Sequence, residues 1–316
     1  MIYIADILSC TEEMLLPHVC EERKAYAVKY KQPIDRIRSL GVAALLDVAL
    51  RMECGQQEMT ANVLRMEYGK QEALAAAGGA WFSGDPVVLL HDEHQRPYIL
   101  PTDGLFLNTG DCAALKTAAA RLEDAVPCIS LSHSGNYVAV AIDRLAVGID
   151  IEQIRHCNDS LIKRFFTEAE KRYIGIHPGT NGEASGSESR DRSFTEIWTL
   201  KESFMKAVGM GLSLGPDTFS VLESGEEAGL FDYEQSHDTH AYVGRTFGVP
   251  CEPTGNAEMP FSDSTCPAGL YILSVCVRRD SEMNARMHTS AQRNTQLNTY
   301  IQGDFIHEIC LPALFS

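Results

Sequence analysis

Residues 147–152 combine bulky apolar side chains with two carboxylates at alternate positions, and this pattern restricts how the segment can fold. β-Branched residues favour a strand, in which successive side chains point to opposite faces. Asp150 and Glu152 should therefore lie side by side on one face. Their Cα atoms would be roughly 6.6 Å apart, close enough for the two carboxylates to share one hard cation.

A second segment, residues 198–206, is rich in strong helix formers. Glu202 and Lys206 are four residues apart, so they project from the same side of the predicted helix. A carboxylate and an ammonium beside a cation site suit phosphoryl chemistry. There the cation bridges phosphates, a base activates the nucleophile and a lysine offsets developing charge.

Each of these patterns also has an ordinary structural explanation. The two strand carboxylates could form a solvated face, and the Glu202–Lys206 pair could be a weak helix-stabilising ion pair. The functional interpretation is strengthened by residues 129–135, which carry three serines and a histidine ahead of the apolar residues 137–142. We interpret them as a polar, donor-rich turn that leads into a strand and can bind phosphate oxygens.

The three segments together resemble the motifs of 4′-phosphopantetheinyl transferases of the surfactin-synthetase-activating (Sfp) type. That family has a Gly-Ile/Val-Asp-Ile/Val-Glu strand and a Trp-Ser/Thr-x-Lys-Glu-Ser/Ala-x-x-Lys helix, preceded by a Ser-His-Ser-Gly turn. The corresponding segments here are residues 148–152, 198–206 and 132–135, in the same order and at about the family spacing. The similarity continues over most of residues 130–221. Upstream, residues 22–24 and 35–40 resemble basic N-terminal helices of the family, and Arg96 stands where a Gly-Lys-Pro turn is expected.

The resemblance implies an α/β or α+β fold of two similar halves related by a pseudo-two-fold axis. Each half would be a small, mostly antiparallel sheet with packed helices, and the active site would lie in the cleft between them. Residues 1–143 would supply coenzyme A contacts, and residues 144–280 the metal and catalytic motifs. The polar tail, residues 281–316, has no counterpart in the family pattern.

The resemblance also implies transfer of the 4′-phosphopantetheine arm from coenzyme A to a serine of an apo acyl or peptidyl carrier protein, with release of adenosine 3′,5′-bisphosphate. Such a holo-acyl-carrier-protein synthase uses Mg²⁺, with Mn²⁺ as a possible substitute. The implied metal ligands are Asp150, Glu152 and Glu202, and the implied catalytic residues are Glu202 and Lys206. The implied coenzyme A contacts are Arg23, Arg38, Ser39, Arg96, Ser132, His133 and Lys201.

Composition limits the partners. The 316 residues are 45% hydrophobic and 22% charged, which allows two modest domains. A formal net charge of −16 argues against nucleic acid, and it means that acidic coenzyme A and carrier proteins would need local basic patches. We expect a cytoplasmic monomer without membrane contact, because no signal peptide or apolar span is recognisable. Ten scattered cysteines without a C-x-x-C pair favour reduced thiols.

Hydrophobic periodicity predicts alternating helices and strands. Helices are expected over residues 33–51, 54–77, 158–173 and 194–208, and strands over residues 2–4, 86–90, 137–142, 146–152, 219–222, 241–246 and 270–277. Two polar insertions, residues 175–193 and 248–268, are predicted to be mobile because Gly, Ser, Pro and Glu dominate them.

Two other functions are compatible with parts of the pattern. Ser132 beside His133 suggests a hydrolase, but the Gly-x-Ser-x-Gly elbow is missing, and neighbours on a strand point to opposite faces. A catalytically silent carrier-binding or regulatory module of the same fold stays open as the alternative. Three acids that converge on a cleft disfavour it, because a protein without catalytic duty has no physical need for them.

Overall fold

A computed structural model of the chain shows two four-stranded sheets, a two-stranded ribbon and several helices. It describes residues 1–68, 87–92, 96–100, 127–157, 159–175, 187–222, 230–231, 242–249, 271–278 and 306–309, together with residues 311 and 314. This mixture of helices and small, mainly antiparallel sheets confirms the predicted α/β class. The pseudo-two-fold relation and the boundaries of the halves stay predictions.

The elements are numbered in chain order. The strands are β1 (Ile2–Asp6), β2 (Val88–His91), β3 (Pro97–Leu100), β4 (Cys128–Ser134), β5 (Tyr137–Asp143), β6 (Val147–Gln153), β7 (Leu230–Phe231), β8 (Tyr242–Val249), β9 (Tyr271–Arg278) and β10 (Ile306–Glu308). The helices are α1 (Glu12–Leu15), α2 (Glu21–Ala27), α3 (Pro33–Tyr68), α4 (Asp159–Phe165), α5 (Glu168–Tyr173) and α6 (Ser187–Val208). Short 3₁₀ turns lie at Leu16–His18, Gly211–Leu214 and Pro216–Thr218.

The first sheet has the strand order β10–β1–β5–β4, with β10 parallel to β1 and the other pairs antiparallel. Strand β5 is buried on both faces because its apolar residues run without interruption. Val138 and Val140 belong to a core shared with α3, whereas Ala139 and Ala141, which point the other way, pack towards the second sheet.

The second sheet has the order β6–β9–β8–β7 and is antiparallel throughout. Ile149 and Leu273 contribute to the core that it shares with the first sheet. On its opposite face, Leu200 and Phe204 of α6 pack with Cys276 of β9. The order of layers is therefore α3, first sheet, second sheet and α6, with apolar contacts at each junction.

The segment with Ser132 and His133 is a strand, so the prediction of a turn there is wrong. Both residues lie within β4, and the hairpin turn follows at Gly135 and Asn136, where Gly135 has a φ of 54°. Taken alone, several serines close together in the sequence favour a loop. Here the serines lie on the edge strand of the first sheet and bond to β6, which satisfies their hydroxyl groups within the fold.

Four other predicted elements differ from the structure. The helices expected over residues 33–51 and 54–77 form one helix, α3, and residues 69–77 lie outside the described ranges. The helix expected over residues 158–173 is broken into α4 and α5, because the Thr167 hydroxyl caps the backbone N–H of Glu170 in a capping box. The strand expected over residues 219–222 is irregular and follows a 3₁₀ turn.

The predicted mobile insertion over residues 175–193 is partly helical, and mobility is therefore the wrong expectation for residues 187–193. Helix α6 begins at Ser187, and the Asp191 carboxylate accepts a hydrogen bond of 2.9 Å from the backbone N–H of Cys157. Residues 176–186 lie outside the described part of the chain, as do residues 250–268 of the second insertion; Gly248 belongs to β8.

The polar tail returns to the first sheet. Strand β10 extends that sheet beside β1, and Leu311 is buried in the core below it. Within the described ranges, no helix is long and apolar enough to span a bilayer. Cys20, Cys128, Cys157 and Cys276 are free thiols, as the scattered spacing predicts.

Candidate functional site

A cavity of about 530 Å³ lies among α2, β4, β6 and α6. Side chains of both charges line it. The charged and polar lining residues are Arg23, Tyr26, Tyr30, His91, Arg96, Ser130, Ser132, His133, Asp150, Glu152, Trp198, Glu202 and Lys206. The three predicted metal ligands and both predicted catalytic residues therefore share one cavity.

Asp150 and Glu152 lie on one face of β6, as their alternate spacing predicts. Each carboxylate accepts a hydrogen bond from a serine hydroxyl of β4. The Ser132 hydroxyl donates to Asp150 Oδ1 at 2.8 Å, and the Ser134 hydroxyl donates to Glu152 Oε2 at 2.7 Å. One oxygen of each carboxylate is thereby fixed from the side of the first sheet.

Helix α6 crosses β6 at Gly148, where the backbones of the two elements approach each other closely. A Cβ atom built on Gly148 would lie 1.8 Å from the carbonyl oxygen of Ser203 and 2.6 Å from the backbone nitrogen of Ala207. A residue without a side chain is needed here, because backbone atoms cannot move aside cheaply. This close approach brings Glu202 and Lys206 to the carboxylates of β6.

The close approach predicts that Gly148→Ala destabilises the protein by about 3 kcal/mol, because α6 must shift away from β6. Chemical denaturation of the full chain measures this loss. The matched control is Gly248→Ala in the same sheet, where the added Cβ would meet only Arg192 Nη2, at 3.6 Å. Equal stability of the two variants would contradict the proposed role of Gly148.

Lys206 and Glu202 extend the acidic cluster from α6. The Lys206 ammonium donates to Asp150 Oδ1 at 2.7 Å and to the carbonyl oxygen of Ile149 at 3.0 Å. Burial and the negative charge of Asp150 raise the pKa of Glu202 to about 7. Burial and Asp150 also raise the pKa of Glu152 above its usual value. Three carboxylates in one confined space thus repel one another, and a cation would relieve that repulsion.

The carboxylates present have the ligand atoms that a hard divalent cation prefers, although their side chains are not grouped around a single point. Among the residues that the structure describes, no three His, Cys, Asp or Glu side chains stand close enough together to hold a metal ion. Asp150 Oδ2 is nevertheless buried without a hydrogen-bond partner. A buried carboxylate oxygen of this kind is costly unless something compensates its charge, and oxygen ligands are those that Mg²⁺ and Mn²⁺ prefer.

The cavity residues on β6 and α6 fall in a region with recognisable relatives. A sequence model of the 4′-phosphopantetheinyl transferase superfamily matches residues 146–248. This stretch of the chain is similar to that superfamily. The resemblance inferred from the motifs is thus confirmed for the stretch that carries Asp150, Glu152, Glu202 and Lys206.

Curated relatives agree with the superfamily match. The chain is 37% identical over 103 residues to the 4′-phosphopantetheinyl transferase Sfp of Bacillus subtilis (strain 168), which covers 30% of this chain and 42% of Sfp. It is 30% identical over 123 residues to the 4′-phosphopantetheinyl transferase gsp of Aneurinibacillus migulanus, which covers 39% of this chain and 48% of that relative. The chain therefore spans less than half the length of these relatives.

One solved structure has a weaker likeness. The holo-acyl-carrier-protein synthase of Thermotoga maritima aligns with 43% of this chain and 64% of its own, at 17% sequence identity. The TM-score of 0.23 is too low for this alignment to bear on the fold.

Several basic residues that line the cavity come from the part of the sequence before the region that matches the transferase superfamily. Arg23 is buried, and its Nε donates to the carbonyl oxygen of Ser39 at 2.9 Å. Arg96 and His133 also line the cavity. The protein atoms around His133 and the charge of Lys206 lower the pKa of the His133 imidazole, so the ring is neutral at pH 7 and offers one N–H donor.

Two of the predicted coenzyme A contacts among the N-terminal residues do not line the cavity. Arg38 donates to the carbonyl oxygen of Gly135 at 2.8 Å and pairs with Asp35 at 2.8 Å. Ser39 is fully buried beneath α2. The predicted contact of Ser39 is therefore corrected to a structural role, because its side chain is fully shielded from solvent. The partly exposed Arg38 stays a predicted coenzyme A contact.

The predicted coenzyme A contact of Lys201 is also corrected, because its side chain is fully buried outside the cavity. Its ammonium pairs with Glu170 Oε1 at 2.9 Å, and both side chains are completely shielded from solvent. It also donates to the carbonyl oxygens of Pro216 and Phe219 at 2.6 Å and 2.7 Å. Lys201 therefore anchors the turn after α6, where its partners satisfy all three donors.

The structure also reveals aromatic lining residues that the sequence interpretation missed. Tyr26 lies beside Tyr30 and His91, with ring centroids 5.8 Å and 5.9 Å apart, and the Arg23 guanidinium lies 5.1 Å from the Tyr26 centroid. The four-residue spacing of Tyr26 and Tyr30 was the available signal. His91 comes from a strand far along the chain, and no sequence signal placed it near Tyr26.

Proposed function

We propose that this protein transfers the 4′-phosphopantetheine arm of coenzyme A to a serine of an apo acyl or peptidyl carrier protein. Adenosine 3′,5′-bisphosphate would be the second product. The observation that carries this proposal is the convergence of Asp150, Glu152, Glu202 and Lys206 in one cavity, within the region that matches the transferase superfamily. The buried Arg23 and the neighbouring Arg96 supply the positive charge that an anionic substrate requires, despite the net charge of −16.

The proposal includes a divalent cation, Mg²⁺ or Mn²⁺, held by Asp150, Glu152 and Glu202. When bound, it would offset charge on the pyrophosphate of coenzyme A. Asp150 contributes the buried oxygen Oδ2, which has no protein partner. Asp150 is buried and Glu152 and Glu202 are partly buried, which limits competition from water and would strengthen their hold on the cation.

Two residues of α6 would divide the proton and charge chemistry. Glu202 lines the cavity one helical turn before Lys206, so its carboxylate would accept the hydroxyl proton of the incoming serine, directly or through a water molecule. Lys206, one helical turn further, would stabilise the negative charge on the departing adenosine 3′,5′-bisphosphate. The oxygen of that serine replaces the bridging oxygen at phosphorus, which leaves with the nucleotide.

His133→Ala should weaken coenzyme A binding and leave the chemical step almost unchanged, because the neutral ring offers one hydrogen bond to a phosphate oxygen. We expect the Michaelis constant for coenzyme A to rise by about tenfold at a nearly constant kcat. Steady-state kinetics with varied coenzyme A measures both constants. An unchanged Michaelis constant with a collapsed kcat would place His133 at the reacting atoms instead.

Mass spectrometry of a carrier protein tests the proposed function directly. An apo carrier protein is incubated with the full chain, coenzyme A and Mg²⁺, and the expected result is a mass gain of one phosphopantetheine arm. A carrier whose acceptor serine is replaced by alanine is the control. Carrier binding without any mass gain, across acyl and peptidyl carriers, would favour a catalytically silent binding module.

A further inference from the structure

A row of serine hydroxyls joins the two sheets where no backbone ladder exists between them. Ser130, Ser132 and Ser134 lie at alternate positions of β4, so their side chains share one face, which is turned towards β6. They accept hydrogen bonds from the backbone N–H groups of Ile149, Ile151 and Gln153 at 3.0, 3.1 and 3.1 Å. All three serines are buried.

Two of these serines also hold carboxylates, and the third does not. Besides accepting from the backbone, Ser132 donates to Asp150 Oδ1 and Ser134 donates to Glu152 Oε2. A hydroxyl can donate once and accept twice, so one serine can link strand and carboxylate at the same time. In the described part of the chain, Ser130 has the backbone bond without a carboxylate partner.

We propose that Ser132 and Ser134 are positioning residues, which hold one oxygen of Asp150 and of Glu152 so that the other oxygens face a shared divalent cation. This inference rests on the proposed function, which needs that cation. It differs from the phosphate contact first expected of Ser132, because the hydroxyl proton of Ser132 is already donated to Asp150.

The hydrogen bonds of Asp150 carry the argument. Oδ1 receives both the Ser132 hydroxyl and the Lys206 ammonium, whereas Oδ2 is buried and receives nothing from the protein. Fixing one oxygen on two donors leaves the carboxylate little freedom to rotate. The orientation of the second oxygen is therefore set before any cation arrives.

Glu152 is held in the same manner with one donor fewer. The Ser134 hydroxyl donates to Glu152 Oε2 at 2.7 Å and fixes that oxygen from the side of β4. Bonds to a charged acceptor are stronger than those between neutral groups. Partners that orient metal ligands typically contribute about 10- to 100-fold to metal affinity.

Ser130 provides a matched control, because its removal breaks the same kind of bond to β6 without touching a carboxylate. Thermal unfolding should show that both Ser130→Ala and Ser132→Ala lose the bond to β6, with an additional loss in Ser132→Ala from its bond to Asp150. They should differ in metal affinity. Ser132→Thr keeps the hydroxyl on a residue type that strands accept, so it should restore metal binding.

The experiment measures binding of Mn²⁺ to the full chain by electron paramagnetic resonance, with no coenzyme A present. We expect Ser132→Ala and Ser134→Ala to weaken Mn²⁺ binding by about tenfold or more. Ser130→Ala should change it by less than about twofold, since it holds no carboxylate. If Ser132→Ala does not fold, Ser134→Ala carries the same test at Glu152.

The inference is overturned if Ser130→Ala weakens Mn²⁺ binding as much as Ser132→Ala does, or if both carboxylate-linked serines can be removed without effect. A wild-type protein that binds no Mn²⁺ overturns it as well. Carrier modification by the wild type distinguishes failure of this inference from failure of the proposed function. Arm transfer with unaffected serine variants removes only the positioning role, whereas no transfer at all removes the proposed function.

Discussion

Glu202→Gln should abolish most activity, with a loss of about three powers of ten or more in kcat. The amide keeps the volume of the side chain but removes its charge and its basicity. Metal binding and activation of the serine hydroxyl should both fail, because the proposed function assigns both to this one carboxylate. Turnover of an apo carrier protein and Mg²⁺-dependent binding of coenzyme A by calorimetry measure the two losses separately.

The matched control for this prediction is Glu196→Gln on the same helix. Glu196 pairs with Arg192 at 2.9 Å and does not line the cavity, so its charge can be removed without touching the site. We expect its activity to stay within about twofold of the wild type, because neither Glu196 nor its partner Arg192 lines the cavity. If Glu202→Gln binds metal and turns over as Glu196→Gln does, Glu202 is neither ligand nor base.

Local periodicity was sufficient to predict the two elements that carry the acidic cluster. Asp150 and Glu152 share a face because strand side chains alternate, and Glu202 and Lys206 share one because a helix turns every 3.6 residues. These relations depend on neighbours in the sequence alone. Gly148 also had a readable signal, since a glycine within a strand often marks a close approach of another backbone.

The buried position of Lys201 could not be predicted, because it depends on partners far away in the sequence. From the sequence, Lys201 was open to a phosphate contact, a salt bridge or a solvated role, whereas Lys206 shares a helix face with Glu202. The fully buried carboxylate of Glu170 and two carbonyl oxygens of the following turn receive Lys201, which removes it from the site. A sequence shows the charge of a side chain, but a buried ion pair is defined by tertiary packing.

The serines of β4 illustrate the same limit in another form. Their hydroxyl groups suggested a phosphate-binding turn, since serine and glycine are common in such loops. The structure turns Ser132 and Ser134 towards β6, where the backbone N–H groups and carboxylates of another sheet take up their hydrogen bonds. That pairing of strands is not encoded in any local pattern.

Lys206→Ala should separate the metal site from the chemistry. The ammonium is bonded to Asp150 Oδ1, so its loss leaves that oxygen held by the Ser132 hydroxyl. Metal-dependent binding of coenzyme A should therefore persist. The kcat should fall by roughly 10²–10³, the usual cost of one electrostatic contact at developing charge.

Calorimetry of coenzyme A binding beside turnover measurements tests this division of roles, with Lys171→Ala as the control. Lys171 forms a comparable pair with Glu168 at 2.7 Å, but on α5 and outside the cavity, so its removal should leave kcat unchanged. Lys206→Arg should recover part of the rate, because it keeps the charge with altered geometry. Loss of coenzyme A binding at an unchanged maximal rate would contradict the assignment, since Lys206 would then hold the substrate in its ground state and not its leaving group.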